Sequence, residues 1–161
     1  MINPARLIYL HGLESSSQSG KAREFSKLFP GMLTPDFTGA FADRMTQLSS
    51  VLQDMVDWTI IGSSFGGLMG AVFTLEHPKQ VRKLVLLAPA LFLPPLGEAY
   101  HGNHVDVPTT LIHGDLDNVV PRQPVKTIAE KLFTSLSFID VNDDHRLHKT
   151  MQELDWVSIL E

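Results

Sequence analysis

The pentapeptide Gly62-Ser63-Ser64-Phe65-Gly66 joins a run rich in Thr and Ile, "DWTII", to a helix-forming stretch, "FGGLMGAVFTLE". A Gly-x-Ser-x-Gly pattern between a strand and a helix makes a strained turn. That turn lifts its serine to the top of the sheet, above the helix N-terminus. Glycine is required two residues to either side, because a Cβ there would collide with the neighbouring strand or helix. Ser64 is therefore the candidate nucleophile, and Ser63 fills the variable slot. The glycines do not form a phosphate loop. No lysine and Ser/Thr close the run, and Gly62, Gly66, Gly67 and Gly70 miss the dinucleotide spacing. Gly67 and Gly70 suit close packing of the helix on the sheet.

A serine needs a base to take its proton and an acid to orient that base. For this type of turn the expected chain order is Ser, then Asp or Glu, then His. "HGDLDNVVP" (113–121) offers Asp115 and Asp117. Asp115 directly follows a strand and suits binding the N–H groups of the turn. Asp117, two residues further out, is the candidate acid. "VNDDHRLHK" (141–149) offers His145 in a loop and His148 three residues on, inside the last expected helix. A loop histidine can swing over the serine, so His145 is the candidate base. The oxygen of an attacked carbonyl turns negative and needs two fixed N–H donors. Phe65, after the nucleophile, supplies one; Leu13, in "HGLESS" after the first strand, is the candidate for the other. Gly12 lets the backbone come close to substrate.

These residues need a sheet that brings several strand ends to one edge. Short apolar runs at 6–12, 57–64, 82–89, 108–115 and 136–140 read as strands, with a further short strand at 32–37. Helical spacing marks 19–29, 43–56, 65–78, 124–134 and 147–160. Six strands alternating with helices predict a three-layer, doubly wound, mostly parallel α/β sheet. The chain reads as one domain, residues 1–161, with no repeat or linker. Residues 89–107 form a short cap loop. Leu91, Phe92, Leu93 and Leu96 make it apolar and would line a site for an aliphatic acyl group. These residues could equally complete the core.

With 161 residues, 43% hydrophobic and 19% charged, the chain has the composition of a globular protein. A net charge of −5 weighs against nucleic acid as a partner. The absence of cysteine excludes disulfides and thiolate chemistry. No stretch reads as a membrane span or signal peptide, so a cytoplasmic location is expected. His101, His104 and Asp106 make only a weak pattern for a metal, and no cofactor is expected.

"YLHGLESS…SGKA", "GSSFGG", "HGDLDNVVP" and "DDH", in this order, resemble the α/β-hydrolase superfamily. The first of them is similar to small bacterial YqiA-like esterases. The resemblance implies a minimal α/β-hydrolase core without the family's first two strands, in strand order 2-1-3-4-5-6. It implies Ser64, Asp117 and His145 as a catalytic triad acting on a carboxylester or a thioester. Asp144 departs from the glycine that often precedes the histidine in relatives. A hydrolase-fold enzyme of another reaction type, such as a C–C hydrolase or perhydrolase, and a non-catalytic binding protein remain alternatives.

Overall fold

The computed structural model describes residues 1–97 and 100–161. Five strands form one parallel sheet: β1 (Leu7–Leu10), β2 (Trp58–Ser63), β3 (Val81–Leu87), β4 (Thr109–Gly114) and β5 (Leu136–Val141). They lie in the order β1-β2-β3-β4-β5. The helices are α1 (Gly20–Leu28), α2 (Phe41–Leu52), α3 (Phe65–Glu76), α4 (Arg122–Leu132), α5 (His148–Glu153) and α6 (Trp156–Leu160). Because all five strands run the same way, the segments after each strand emerge at one edge of the sheet.

The three layers follow from the two-residue period of a strand. Ile8 and Leu10 of β1, Ile60 of β2 and Leu84 and Leu86 of β3 face one side. They pack with buried residues of α2, α3 and α4. Leu7, Tyr9, Ile61, Val85 and Leu87 face the other side and pack with α1, α5 and α6. Strands buried on both faces read as near-continuous apolar runs, and β1 and β2 are wholly buried.

Two expected elements differ. The strand expected at 32–37 is a single parallel bridge, Leu33 to Ile8, on the free side of β1. Leu33 donates its N–H to Leu7 O and accepts from Tyr9 N, both at 2.9 Å. Pro35 has no N–H to continue a ladder, and the Phe37 N–H goes to a side chain, His11 Nε2. The sheet therefore has five strands rather than six. The single helix expected at 147–160 is two helices. Asp155 divides them by capping α6, accepting from Ser158 N at 3.2 Å. Ser19 caps α1, its hydroxyl accepting from Ala22 N at 3.2 Å. Leu28, near the end of α1, is half exposed. Among the described residues, no helix is long and apolar enough to cross a membrane.

The glycines of the β2–α3 junction differ sharply in how much room they have. A Cβ on Gly66 would lie 2.7 Å from His11 O and closer still to Leu10 O. One on Gly62 would lie 2.8 Å from Gly67 Cα. These are backbone obstacles that cannot swing aside. At Gly70 the nearest atoms are side-chain ends, Ile60 Cγ2 at 3.2 Å and Leu84 Cδ1 at 3.3 Å. Gly66→Ala is expected to cost about 3 kcal/mol or more and to lower Tm by roughly 6–12 °C. At Gly70 the gain in helix propensity, about 1 kcal/mol, offsets the tightness, and Gly70→Ala should leave Tm within about 3 °C of the parent. Thermal melts of the two variants check this contrast.

Candidate active site

Ser64 sits at the β2–α3 turn with φ 54° and ψ −113°. A non-glycine residue at such positive φ carries a cost of about 1–3 kcal/mol. The surroundings hold it there. Its N–H donates to Leu87 O at 3.0 Å, and its carbonyl accepts from Gly67 N at 3.0 Å and Ala90 N at 2.9 Å. The turn is thereby tied to the end of β3 and to the segment that follows it.

The loop after β1 lies against the same turn. A Cβ on Gly12 would be in ordinary contact with Ser64 Cβ, at 3.7 Å. His11 organises this loop. The Phe37 N–H donates to its Nε2 at 2.9 Å, which leaves the ring proton on Nδ1 to donate to Gly12 O at 2.7 Å. Gly12 O belongs to the peptide unit whose N–H is that of Leu13, so this bond fixes where that N–H lies. Among the described residues, no acceptor takes the N–H of Leu13 or of Phe65. Phe65 is the first residue of α3, where an N–H has no partner within the helix.

Asp117 and His145, on the loops after β4 and β5, are in contact. His145 Nδ1 donates to Asp117 Oδ2 at 2.8 Å. The Asp117 side chain is fully covered, while that of His145 is 22% exposed. Asp117 Oδ1 accepts from the N–H groups of Val119 and Val120, both at 2.8 Å. Asp117 thus binds the turn, the task expected of Asp115. Burial alone would raise its pKa. The Val120 N–H, the His145 ring and the Val119 N–H outweigh burial and hold the carboxyl below the usual aspartate value.

One neighbour was not singled out from the sequence. His113, at the end of β4, is completely buried. Its Nε2 donates to Val120 O at 3.1 Å and lies 3.5 Å from Asp117 Oδ2. Nδ1 has no partner among the described residues. Burial, its largest influence, pushes the His113 pKa down despite the nearby Asp117. The signal in the sequence was a polar ring in an otherwise apolar strand, "LIHG".

The two carboxylates before His145 serve the backbone. Asp143 Oδ2 accepts from Thr150 N and Thr150 Oγ1, each at 2.8 Å, and Oδ1 accepts from Asp144 N at 2.8 Å. Asp144 Oδ1 accepts from Arg146 N at 2.9 Å. The loop then enters α5 through Leu147, at φ 56°. His148, the rejected alternative, is the first residue of that helix.

The residues expected to bind an acyl group are divided. Leu91 and Leu96 are buried in the core cluster, and Leu93 is half-buried against it. Phe92 is 38% exposed. Residues 98 and 99 of the expected cap loop lie outside the described residues.

Asp143 is buried, which opposes ionisation. The Thr150 and Asp144 donors outweigh this and hold its carboxyl below the ordinary value of 3.8. A lowered native pKa contributes stability that is fully present above the unfolded value and lost as pH falls through the native one. Asp143→Ala is expected to cost roughly 1–3 kcal/mol at neutral pH by leaving Thr150 donors unpaired. The gap in stability between parent and variant should narrow as the pH falls below 3.8. Urea melts across pH 3–7 read both effects.

The sheet order, the strained serine at the strand–helix turn and the Asp–His pair after later strands define the α/β-hydrolase superfamily. Solved structures agree. Alpha/beta hydrolase domain-containing protein 10 from mouse has a TM-score of 0.75 and 18% identity, covering 96% of this chain and 90% of that one. A Xanthomonas campestris protein classed in the α/β-hydrolase superfamily has a TM-score of 0.75 and 25% identity, over 91% of this chain and 90% of that one. Est1E from Butyrivibrio proteoclasticus has a TM-score of 0.72 and 16% identity, over 96% and 88%. No curated protein matches the sequence. Residues 6–110 match the uncharacterised protein family UPF0227. The match spans more than half of the chain, which belongs to that family.

Proposed function

We propose that the protein is a serine hydrolase that cleaves acyl esters, carboxylesters before thioesters, through an acyl-enzyme. The observation that carries this reading is the 2.8 Å bond from His145 Nδ1 to Asp117, beside a sheet edge where Ser64 stands at positive φ. With Nδ1 donating to Asp117, the other ring nitrogen, Nε2, is the one that can accept a proton. Asp117, held ionised, fixes the ring and stabilises the imidazolium that forms.

In the first step Ser64 Oγ bonds to the acyl carbon while its proton passes to His145 Nε2. The carbonyl π electrons move onto oxygen, which the Leu13 and Phe65 N–H groups receive. The tetrahedral centre then collapses, the bond to the leaving oxygen or sulfur breaks, and the leaving group takes the proton from His145. Water repeats the sequence on the acyl-enzyme, with His145 as base, and frees the acid and Ser64. Phe92, exposed beside half-buried Leu93, offers an apolar surface to the acyl chain. A short segment after β3 covers little, and this favours modest selectivity. The absence of cysteine suits a reducing compartment such as the cytoplasm, where a single hydrolase domain would act on small-molecule substrates.

A fluorophosphonate probe tests the nucleophile. One adduct is expected on the parent and none on Ser64→Ala; an unlabelled parent sinks the reading. Hydrolysis of p-nitrophenyl esters of rising chain length then sizes the acyl site. Asp117→Asn should lower kcat by about 10⁴-fold, because the ring loses the acceptor that fixes its tautomer.

A further inference from the structure

Arg44 lies on α2 and is only 5% exposed. Arginine is almost never buried to this degree without a charged partner. Among the described residues no carboxylate pairs with Arg44. Its contacts run instead to the backbone and to one ring. Nε donates to Gly39 O at 2.9 Å, and Nη2 donates to Leu13 O at 3.1 Å. Cζ stands 5.4 Å from the centre of the Phe65 ring, which the ring of Phe41 also meets edge-on at 6.0 Å. Nη1 is buried with no partner among the described residues.

Leu13 and Phe65 are the two residues whose N–H groups are proposed to receive the oxyanion. They lie 52 residues apart on different strand ends, and a single guanidinium touches both. We infer that Arg44 is a positioning residue for the oxyanion hole, clamping Leu13 by its carbonyl and Phe65 by its ring. The inference rests on the serine hydrolase reading and adds to it a residue outside the triad.

The clamp answers a physical need. Gly12 leaves the loop after β1 many backbone choices, and an N–H helps only if it is fixed before charge develops. His11 holds the peptide unit that carries the Leu13 N–H, through Gly12 O. Arg44 holds the next peptide unit, through Leu13 O. With its own unit and the next one both gripped, the Leu13 N–H cannot turn away. The planar fork of arginine suits two carbonyls from separate segments, and its flat face suits an aromatic ring; an ammonium reproduces neither. Burying a cation with an unsatisfied N–H is costly, so a site that keeps one gains something besides packing.

The test compares the parent with Arg44→Gln and Arg44→Lys, using p-nitrophenyl acetate and a fluorophosphonate whose phosphonyl oxygen occupies the hole. Tm is measured for each variant, and assays are run well below the lowest. A clamp predicts that Arg44→Gln loses about 10–100-fold in kcat, with KM within about threefold of the parent. The rate of fluorophosphonate inactivation should fall by the same factor. The midpoint of the acidic limb of kcat/KM should not move, because the Asp117–His145 pair is untouched. Arg44→Lys should fall between, and it serves as the test if Arg44→Gln does not fold. If kcat and the inactivation rate of the folded variant stay within about twofold of the parent, whatever its Tm, the inference is overturned and Arg44 only braces α2. A parent that reacts with neither reagent overturns the hydrolase reading itself.

Discussion

The approach of the first turn of α3 to the end of β1 is the constraint on which the remaining geometry depends. Gly66 rests on the carbonyls of Leu10 and His11, with no room for a Cβ. Gly62 leaves the same absence of room beneath Gly66 and Gly67. Because the helix starts this close to the sheet, the chain must turn within one residue, and Ser64 takes the positive φ that the turn requires. The same closeness leaves room for no more than a Cβ between Gly12 and Ser64, whose Cβ such an atom would meet at 3.7 Å. It sets the unpaired N–H of Phe65 near the loop that carries Leu13. Backbone strain at one residue is thus offset by packing that several strands enforce together.

A second layer of organisation is polar and lies on the loops after β4 and β5. Asp117 divides its two oxygens between tasks: Oδ1 shapes its own turn, and Oδ2 receives His145. Turn and ring orientation cannot vary independently, since one carboxylate serves both. His113 seals the buried side of this carboxylate while holding Val120 O. Asp143 does similar work for the loop that carries His145, joining it to the start of α5 through Thr150. The two loops meet directly as well: Asp115 N donates to Val141 O, and Leu116 N to Asp143 O.

Much of this was legible in local pattern. Apolar runs flanked by glycine and proline marked the strands, and the i, i+3, i+4 spacing marked the helices, because these periods belong to the backbone itself. The contact between Asp117 and His145 was expected from their order after successive strands. The misreadings share one cause. Residues 32–37 have the composition of a strand, yet only Leu33 enters a ladder, since Pro35 lacks a donor and the Phe37 N–H is claimed by His11. The run 147–160 has helical spacing, yet Asp155 prefers to cap. Asp115 was expected to bind the turn, yet the N–H groups of Val119 and Val120 go to Asp117, because the loop's path brings them to that carboxylate. In each case a specific hydrogen bond overrode a propensity worth less.

The sequence by itself determined the class of fold and the pattern that singles out Ser64. Alternating apolar segments can bury both faces only as a covered parallel sheet, and glycines at 62 and 66 admit a turn that other residues forbid. Only the tertiary structure decided how residues distant in sequence meet. His11 reaches Phe37, Arg44 reaches both Leu13 and Phe65, and His113 closes over Asp117. Such contacts leave no periodic trace, because a buried polar side chain is defined by the partner it finds across the fold and not by its neighbours along the chain.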